Sequence, residues 1–121
     1  MSILAKLHTI PRTPLAHTPT PIEPLPNLGK HFGCGQLYVK RDDCTGLALG
    51  GNKARQLEYY FGDALEQSAD TVLITGAVQS NFVRMAAAAA AKLGLTCHIQ
   101  LEERVTDVGA KYRESGNVLL N

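Results

Sequence analysis

The stretch TVLITGAVQSNFVRMAAAAAAKLGLTCHIQL, residues 71–101, decides the fold. Thr71–Thr75 (TVLIT) is a continuous apolar run that reads as a buried strand, and the loop GAVQ ends it. Ser80 or Asn81 caps a helix that reaches Leu93, with Gly94 as its stop. Leu95–Leu101 (LTCHIQL) is the next strand. Strand, helix and strand at this spacing make a right-handed βαβ unit with parallel strands. The expected class is therefore α/β, an open, mostly parallel sheet with flanking helices in three layers. Six alanines in succession, Ala86–Ala91, favour the helix and leave a face without bulk for close packing.

Working upstream, residues 42–51 (DDCTGLALGG) form a loop that leads into a helix from Asn52 to Gln67. Leu57, Tyr60, Phe61, Ala64 and Leu65 make its core-facing stripe. Before the loop, Gln36–Arg41 (QLYVKR) reads as a short strand. All six prolines fall between Pro11 and Pro26, so that segment is expected to run extended over the surface. Leu15, Ile22, Leu25 and Leu28 read as the side chains that pin it down. Downstream, ESGNVLLN reads as a turn, a cap at Asn117 and the first turn of an apolar helix. Val118, Leu119 and Leu120 in such a stub need something to pack on, the mark of a piece of something larger.

Composition narrows the function. A chain of 121 residues with 45% hydrophobic content fits one ordinary domain, and a formal charge of +1 gives nucleic acid no purchase. No apolar run is long enough to span a bilayer, and the first residues lack a secretory core and cleavage site. Cys34, Cys44 and Cys97 form no CxxC pair, which argues for a reducing compartment, the cytoplasm by default. His8, His17, His31 and His98 have no partners at metal-ligand spacing. The loop after Thr75 lacks GxGxxG, and the GCG at 33–35 follows no convincing strand, so a nucleotide fold is disfavoured.

The chemistry gathers at two helix starts. In GGNKARQLE, residues 50–58, a lysine stands just behind two glycines, where a helix dipole disfavours an ammonium group. A desolvated amine there leans toward its neutral form, a nucleophile that makes Schiff bases with carbonyl compounds or pyridoxal phosphate. The alternative is a solvated surface lysine in a glycine turn. The second start is GAVQSN, residues 76–81, beyond the carboxyl end of the strand, where open α/β sheets bind ligands. The backbone amides of Ser80, Asn81 and Phe82 are expected free there, in a place that favours an anion. The alternative is an ordinary N-cap. A carboxylate-binding helix end close to an amine suits an amino acid held as an imine. Asp42 and Asp43 are adjacent loop carboxylates, read as solvated or capping rather than as an acid–base pair.

KRDDCTGLALGGNKARQLE, DTVLITGAVQSN and MAAAAAAKLGL together resemble the pyridoxal-phosphate enzymes of the D-cysteine desulfhydrase and 1-aminocyclopropane-1-carboxylate deaminase family. The likeness runs from the proline segment to GNVLLN and implies the tryptophan-synthase-β-like fold, type II among pyridoxal-phosphate architectures. It implies that Lys53 bonds the cofactor and later shuttles the substrate proton. By the same likeness Asn81 lies beside the pyridine ring and bonds its phenolic oxygen, with Asn52 close by. Ser80, with the amides of Asn81 and Phe82, would bind the substrate carboxylate, making Lys53 and Ser80 the catalytic pair.

The implied reaction is β-elimination or ring opening of a small amino acid, D-cysteine first, with L-cysteate and 1-aminocyclopropane-1-carboxylate as competitors. A cytoplasmic homodimer is implied as well. Residues 1–50 would belong to the larger domain and 51–121 to a small βαβ domain cut short at its C-terminus. The family's glycine-rich phosphate loop and later tyrosines lie beyond this length, so the chain alone is expected to be a weak or inactive enzyme. Phe82 stands where the family has histidine or glutamine, and Gln56 where a basic residue is common. The rival reading is a non-catalytic chain that binds a partner through an open sheet edge and the C-terminal helix stub.

Overall fold

Punctuation by glycine, proline and capping residues sets the order of elements in the computed structural model, which describes residues 2–121. In chain order these are α1 (Ile3–Leu7), β1 (Ile22–Pro24), α2 (Pro26–His31), β2 (Tyr38–Lys40), α3 (Ala54–Glu66), β3 (Thr71–Ala77), α4 (Asn81–Leu93) and β4 (Thr96–Glu102). Short 3-10 turns lie at Asp42–Thr45, Leu47–Leu49, Ala110–Tyr112 and Gly116–Leu120.

The βαβ unit is present. β3 and β4 pair in parallel, from Thr71 opposite Thr96 to Ala77 opposite Glu102. The ladder carries β3 two residues past Thr75, into Gly76 and Ala77, before the chain turns. Ser80 caps α4 through its hydroxyl, which accepts from the Val83 amide at 3.3 Å. At the other end Gly94 is left-handed (φ 73), and Leu95 N donates to Ala90 O at 3.0 Å while Gly94 N donates to Ala91 O. That pair of bonds is the Schellman closure glycine permits.

Ala86, Ala89 and Ala90 stand at helical i, i+3, i+4 spacing and are fully buried. With Met85 they meet Leu57, Phe61 and Ala54 of α3 and Leu15 of the proline segment in one core. Half-buried Val72, Ile74 and Cys97 pack against it from the strands, and Leu95 from just before β4. The alanines take little room, so bulk comes from the other partners. Burial of Leu57 and Phe61 stabilises the fold by about 1.5–3 kcal/mol each. α4 packs on both strands and α3 packs on α4. The opposite strand face carries Leu73, 82% exposed.

The α/β class, with its parallel strands and packed helices, holds, and three details change. The open sheet resolves, among the described residues, into two separate pairs, since β1 and β2 form their own antiparallel ribbon with Ile22 opposite Lys40. Pro24 has no amide to donate, which confines β1 to an edge, and Pro26 opens α2 at its first position. The proline segment is therefore not extended throughout. Its anchor is Leu15 alone of the four proposed pins, for Ile22 and Leu28 are exposed and Leu25 is half-buried. The polar anchor is Glu58, buried on α3, whose carboxylate accepts from the amides of Leu15 and Ala16, both at 2.9 Å, and from Arg12. Finally, the C-terminal stub is a 3-10 turn, Gly116–Leu120, and Asn117 caps nothing. Its side chain and amide bond Gln79 instead, in the loop between β3 and α4.

Candidate active site

The starts of α3 and α4 come together beyond the carboxyl end of β3. Upstream of α3 the chain passes through Gly50 (φ 76) and Gly51 (φ 141), values that side chains resist. A Cβ on Gly50 would stand 1.9 Å from the Asp43 carbonyl oxygen, so no other residue fits. Buried Thr45 ties this turn. Its hydroxyl lies 2.8 Å from both the amide and the carbonyl oxygen of Gly51, accepting from one and donating to the other.

Lys53 takes the N-cap position of α3 in helical conformation, with no side-chain capping bond. It is half-buried. The salt bridges among the described residues all use arginines, Arg12, Arg41, Arg55, Arg104 and Arg113, so its amine is left without a carboxylate. Beside it, the Asn52 side-chain oxygen accepts from Asn81 Nδ2 at 3.3 Å. That bond joins the lysine turn to the first residue of α4. A Cβ on Gly51 would also lie 3.6 Å from Asn81 Nδ2 and 3.0 Å from Met85 Sδ, which measures how closely the two helix starts approach.

At α4 the expectation for Ser80 is corrected in part. Its amide is not free but donates to Ala77 O at 2.9 Å, closing the turn that follows β3. Its hydroxyl is taken up with the cap on Val83. The amides of Asn81 and Phe82 precede any intrahelical acceptor, and among the described residues they donate to none. The Phe82 ring is half-buried and meets Tyr60 edge-on, with centroids 6.5 Å apart. Together with Leu57, Phe61, Val72 and Ile74 these two rings line an apolar groove of about 380 Å³. That groove carries no carboxylate, amine or thiol and is not where the chemistry gathers.

The acidic pair takes the structural role. Asp42 accepts from Arg55 at 2.7 and 2.8 Å and from Thr20 at 3.0 Å. The Arg55 bond holds its carboxyl down at about 2, against a burial effect that would raise it. Arg41 likewise lowers Asp43. Cys97 faces the core side and its thiol is pushed up by burial, while His98 is exposed. Among the described residues no group of three or more metal-ligating side chains forms, and no helix is long and apolar enough to cross a membrane.

Two further residues touch this place and were missed by the sequence reading. Gln79 donates to the carbonyls of Tyr112 and Ser115, at 2.5 and 2.6 Å, and so docks the C-terminal turns. Arg84 donates to Gly50 O at 2.7 Å. The signal for Arg84 was available. A cation in the first turn of a helix opposes the dipole and calls for a reason.

The model of the pyridoxal-phosphate dependent enzymes matches residues 13–119. The chain belongs to that family. Among curated members it is 49% identical over 117 residues to a D-cysteine desulfhydrase of Klebsiella pneumoniae, covering 97% of this chain and 35% of that protein. A D-cysteine desulfhydrase of Salmonella paratyphi B is 48% identical over the same span. A crystal structure of an ACC deaminase homologue superposes with a TM-score of 0.75 at 39% identity, over 94% of this chain and 42% of that one. The chain thus spans about a third of the length of the curated relatives it matches.

The residues present fit the family's cofactor. An aldehyde needs an amine without a competing carboxylate, and among the described residues the Lys53 amine is paired with none. The cofactor's ring needs polar side chains beside that amine, and Asn52 and Asn81, bonded to each other at 3.3 Å, supply them.

Proposed function

We propose that this chain provides the nucleophile-bearing part of a pyridoxal-phosphate-dependent lyase or deaminase acting on a small amino acid. D-Cysteine is the first substrate, converted with one water to pyruvate, hydrogen sulfide and ammonia. L-Cysteate and 1-aminocyclopropane-1-carboxylate are the alternatives, the second in view of the ACC deaminase homologue. The observation that carries the reading is the Asn52–Asn81 bond, which sets an unpaired lysine beside an anion-favouring helix start.

Pyridoxal phosphate, when bound, supplies an aldehyde for an amine and a conjugated ring that takes up an electron pair. Lys53 would hold it through Nζ and afterwards carry the substrate's Cα proton on the same atom. Asn81 and Asn52 would orient the ring's polar edge through their side-chain amides. The amides of Asn81 and Phe82 would receive the substrate carboxylate, and the Ser80 hydroxyl would join them by leaving its cap on Val83. In the same reading residues 1–50 contribute to a larger domain and 51–121 to a smaller one. The working enzyme is a cytoplasmic homodimer.

The test is selective labelling. The chain is incubated with pyridoxal phosphate, reduced with borohydride and mapped by peptide mass. Lys53 should carry the pyridoxyl group ahead of Lys6, Lys30, Lys40, Lys92 and Lys111, and Lys53→Ala should lose it. Label spread evenly over the lysines would sink the assignment. Sulfide and pyruvate release from D-cysteine, compared with turnover of the two competitors, then sorts the substrates. A second reading, association without catalysis, is favoured by the 82% exposure of Leu73 on the uncovered strand face. It expects concentration-dependent assembly by sedimentation together with no Lys53 selectivity.

A further inference from the structure

We infer that Arg84 is a positioning residue that aims the lysine turn at the start of α4. Three observations converge on it. Its Nη2 donates to the Gly50 carbonyl at 2.7 Å, three residues before Lys53. Its Nη1 donates to Asn117 Oδ1 at 2.6 Å, and Asn117 in turn bonds Gln79 through both its amide and its side chain. Its Nε is buried and has no partner among the described residues. A half-buried guanidinium in the first turn of a helix, facing only neutral acceptors, runs against both the dipole and desolvation. Packing alone would be served by a methionine or leucine there.

What the charge secures is the orientation of a peptide group. Gly50 and Gly51 occupy backbone regions open chiefly to glycine, so this turn is the least self-determined part of the site. Thr45 fixes Gly51 by its amide and carbonyl, and Leu47 O receives the Gly50 amide. The Gly50 carbonyl is held by Arg84. With both glycines held, the direction in which Asn52 and Lys53 leave the turn is set against α4 itself, because Arg84 and Asn81 belong to the same helix turn. The Asn117–Gln79 arm stops the guanidinium from swinging away. The inference rests on the proposed function for the meaning of Lys53, and on geometry alone for the anchoring.

Arg84→Met and Arg84→Lys, each checked for an unchanged circular dichroism spectrum and melting temperature, separate positioning from bulk stability. The first readout is amide hydrogen exchange of the peptide spanning residues 47–57, which needs no cofactor. Arg84→Met should speed exchange there about tenfold, the scale of a lost charge-assisted hydrogen bond, and leave the middle of α4 unchanged. Arg84→Lys, which keeps a donor, should recover most of the protection. The second readout is the rate of Lys53 labelling by pyridoxal phosphate with borohydride, expected to fall about tenfold in Arg84→Met and to return with lysine. Unchanged exchange at 47–57 in Arg84→Met overturns the inference, whatever the labelling shows. Faster exchange supports it even where wild-type Lys53 labels no better than its neighbours, a result that removes the proposed function and spares the anchor. Melting lowered equally with exchange across the whole chain also overturns it.

Discussion

Replacing Glu58 by glutamine tests how the proline segment is held. The residue is 1% exposed, and its carboxylate accepts three hydrogen bonds, from the amides of Leu15 and Ala16 and from Arg12 Nε, with Arg12 Nη2 paired to it at 2.5 Å. Glutamine keeps the shape and one oxygen for the amides, but turns an NH2 toward Arg12, donor against donor. A hydrogen bond to a charged group contributes about 1.5–3 kcal/mol, and the half-exposed Arg12 places its share at the low end. Glu58→Gln should therefore cost about 2–3 kcal/mol. Glu58→Ala, which strands two backbone amides, should cost about 3–5 kcal/mol.

For a chain of this size the glutamine change corresponds to a melting temperature lower by about 8–12 °C. Urea unfolding at neutral pH measures it directly. The pH dependence supplies the sign. Burial alone would raise the Glu58 carboxyl, yet the bonds from Ala16, Leu15 and Arg12 bring it below its ordinary 4.5. A lowered native value means the stabilisation is complete above pH 4.5 and is lost as the pH falls through that lowered value. The gap between wild type and Glu58→Gln should thus close in acid. A gap under about 0.5 kcal/mol at neutral pH, or one that persists unchanged at pH 3, refutes the latch.

Gly62 lies inside α3, where alanine ordinarily gains stability, but a Cβ there would stand 2.5 Å from Pro11 O and 2.6 Å from Arg12 N. Gly62→Ala should lower the melting temperature and expose residues 9–16 to proteolysis. Gln79→Ala removes the donors to Tyr112 and Ser115 and the acceptor for Asn117, so hydrogen exchange in 109–121 should rise at least tenfold while α4 stays protected. Asp42 should titrate at about 2 by carbon-detected NMR, and Arg55→Met should return it toward the ordinary carboxylate range, since the Arg55 bond is the main cause of the shift.

Periodicity made the βαβ unit legible. A run such as TVLIT, an alanine-rich stretch at helical spacing and a glycine after Leu93 are local signals, and each became the element they announce. Ribbon β1–β2 was half legible, because Gln36–Arg41 has strand composition while its partner hides a proline. Lys53 stood out because it breaks a preference, as a cation at a helix start behind two glycines. Ser80 was misjudged in one respect. Whether its amide is spent depends on the turn from Ala77, and composition does not reveal turn geometry.

The residues that escaped sequence reading share one property. Glu58, Gln79 and Arg84 each sit on or beside regular structure and bond the backbone of an irregular segment far along the chain: residues 12–16, 112–117 and 50, respectively. Hydrophobic patterning specifies which face of a helix is inside, and is blind to such partners because a hydrogen bond's acceptor leaves no periodic trace. The loops they hold have little apolar area of their own, so polar pins do for them what the core does for α3 and α4. Two of the three pins converge on the lysine turn and on the loop that opens α4. The same bonds that make these irregular segments stable therefore also fix how the turn before Lys53 stands against the first turn of α4. Weakening them should cost positioning at the site before it costs the fold.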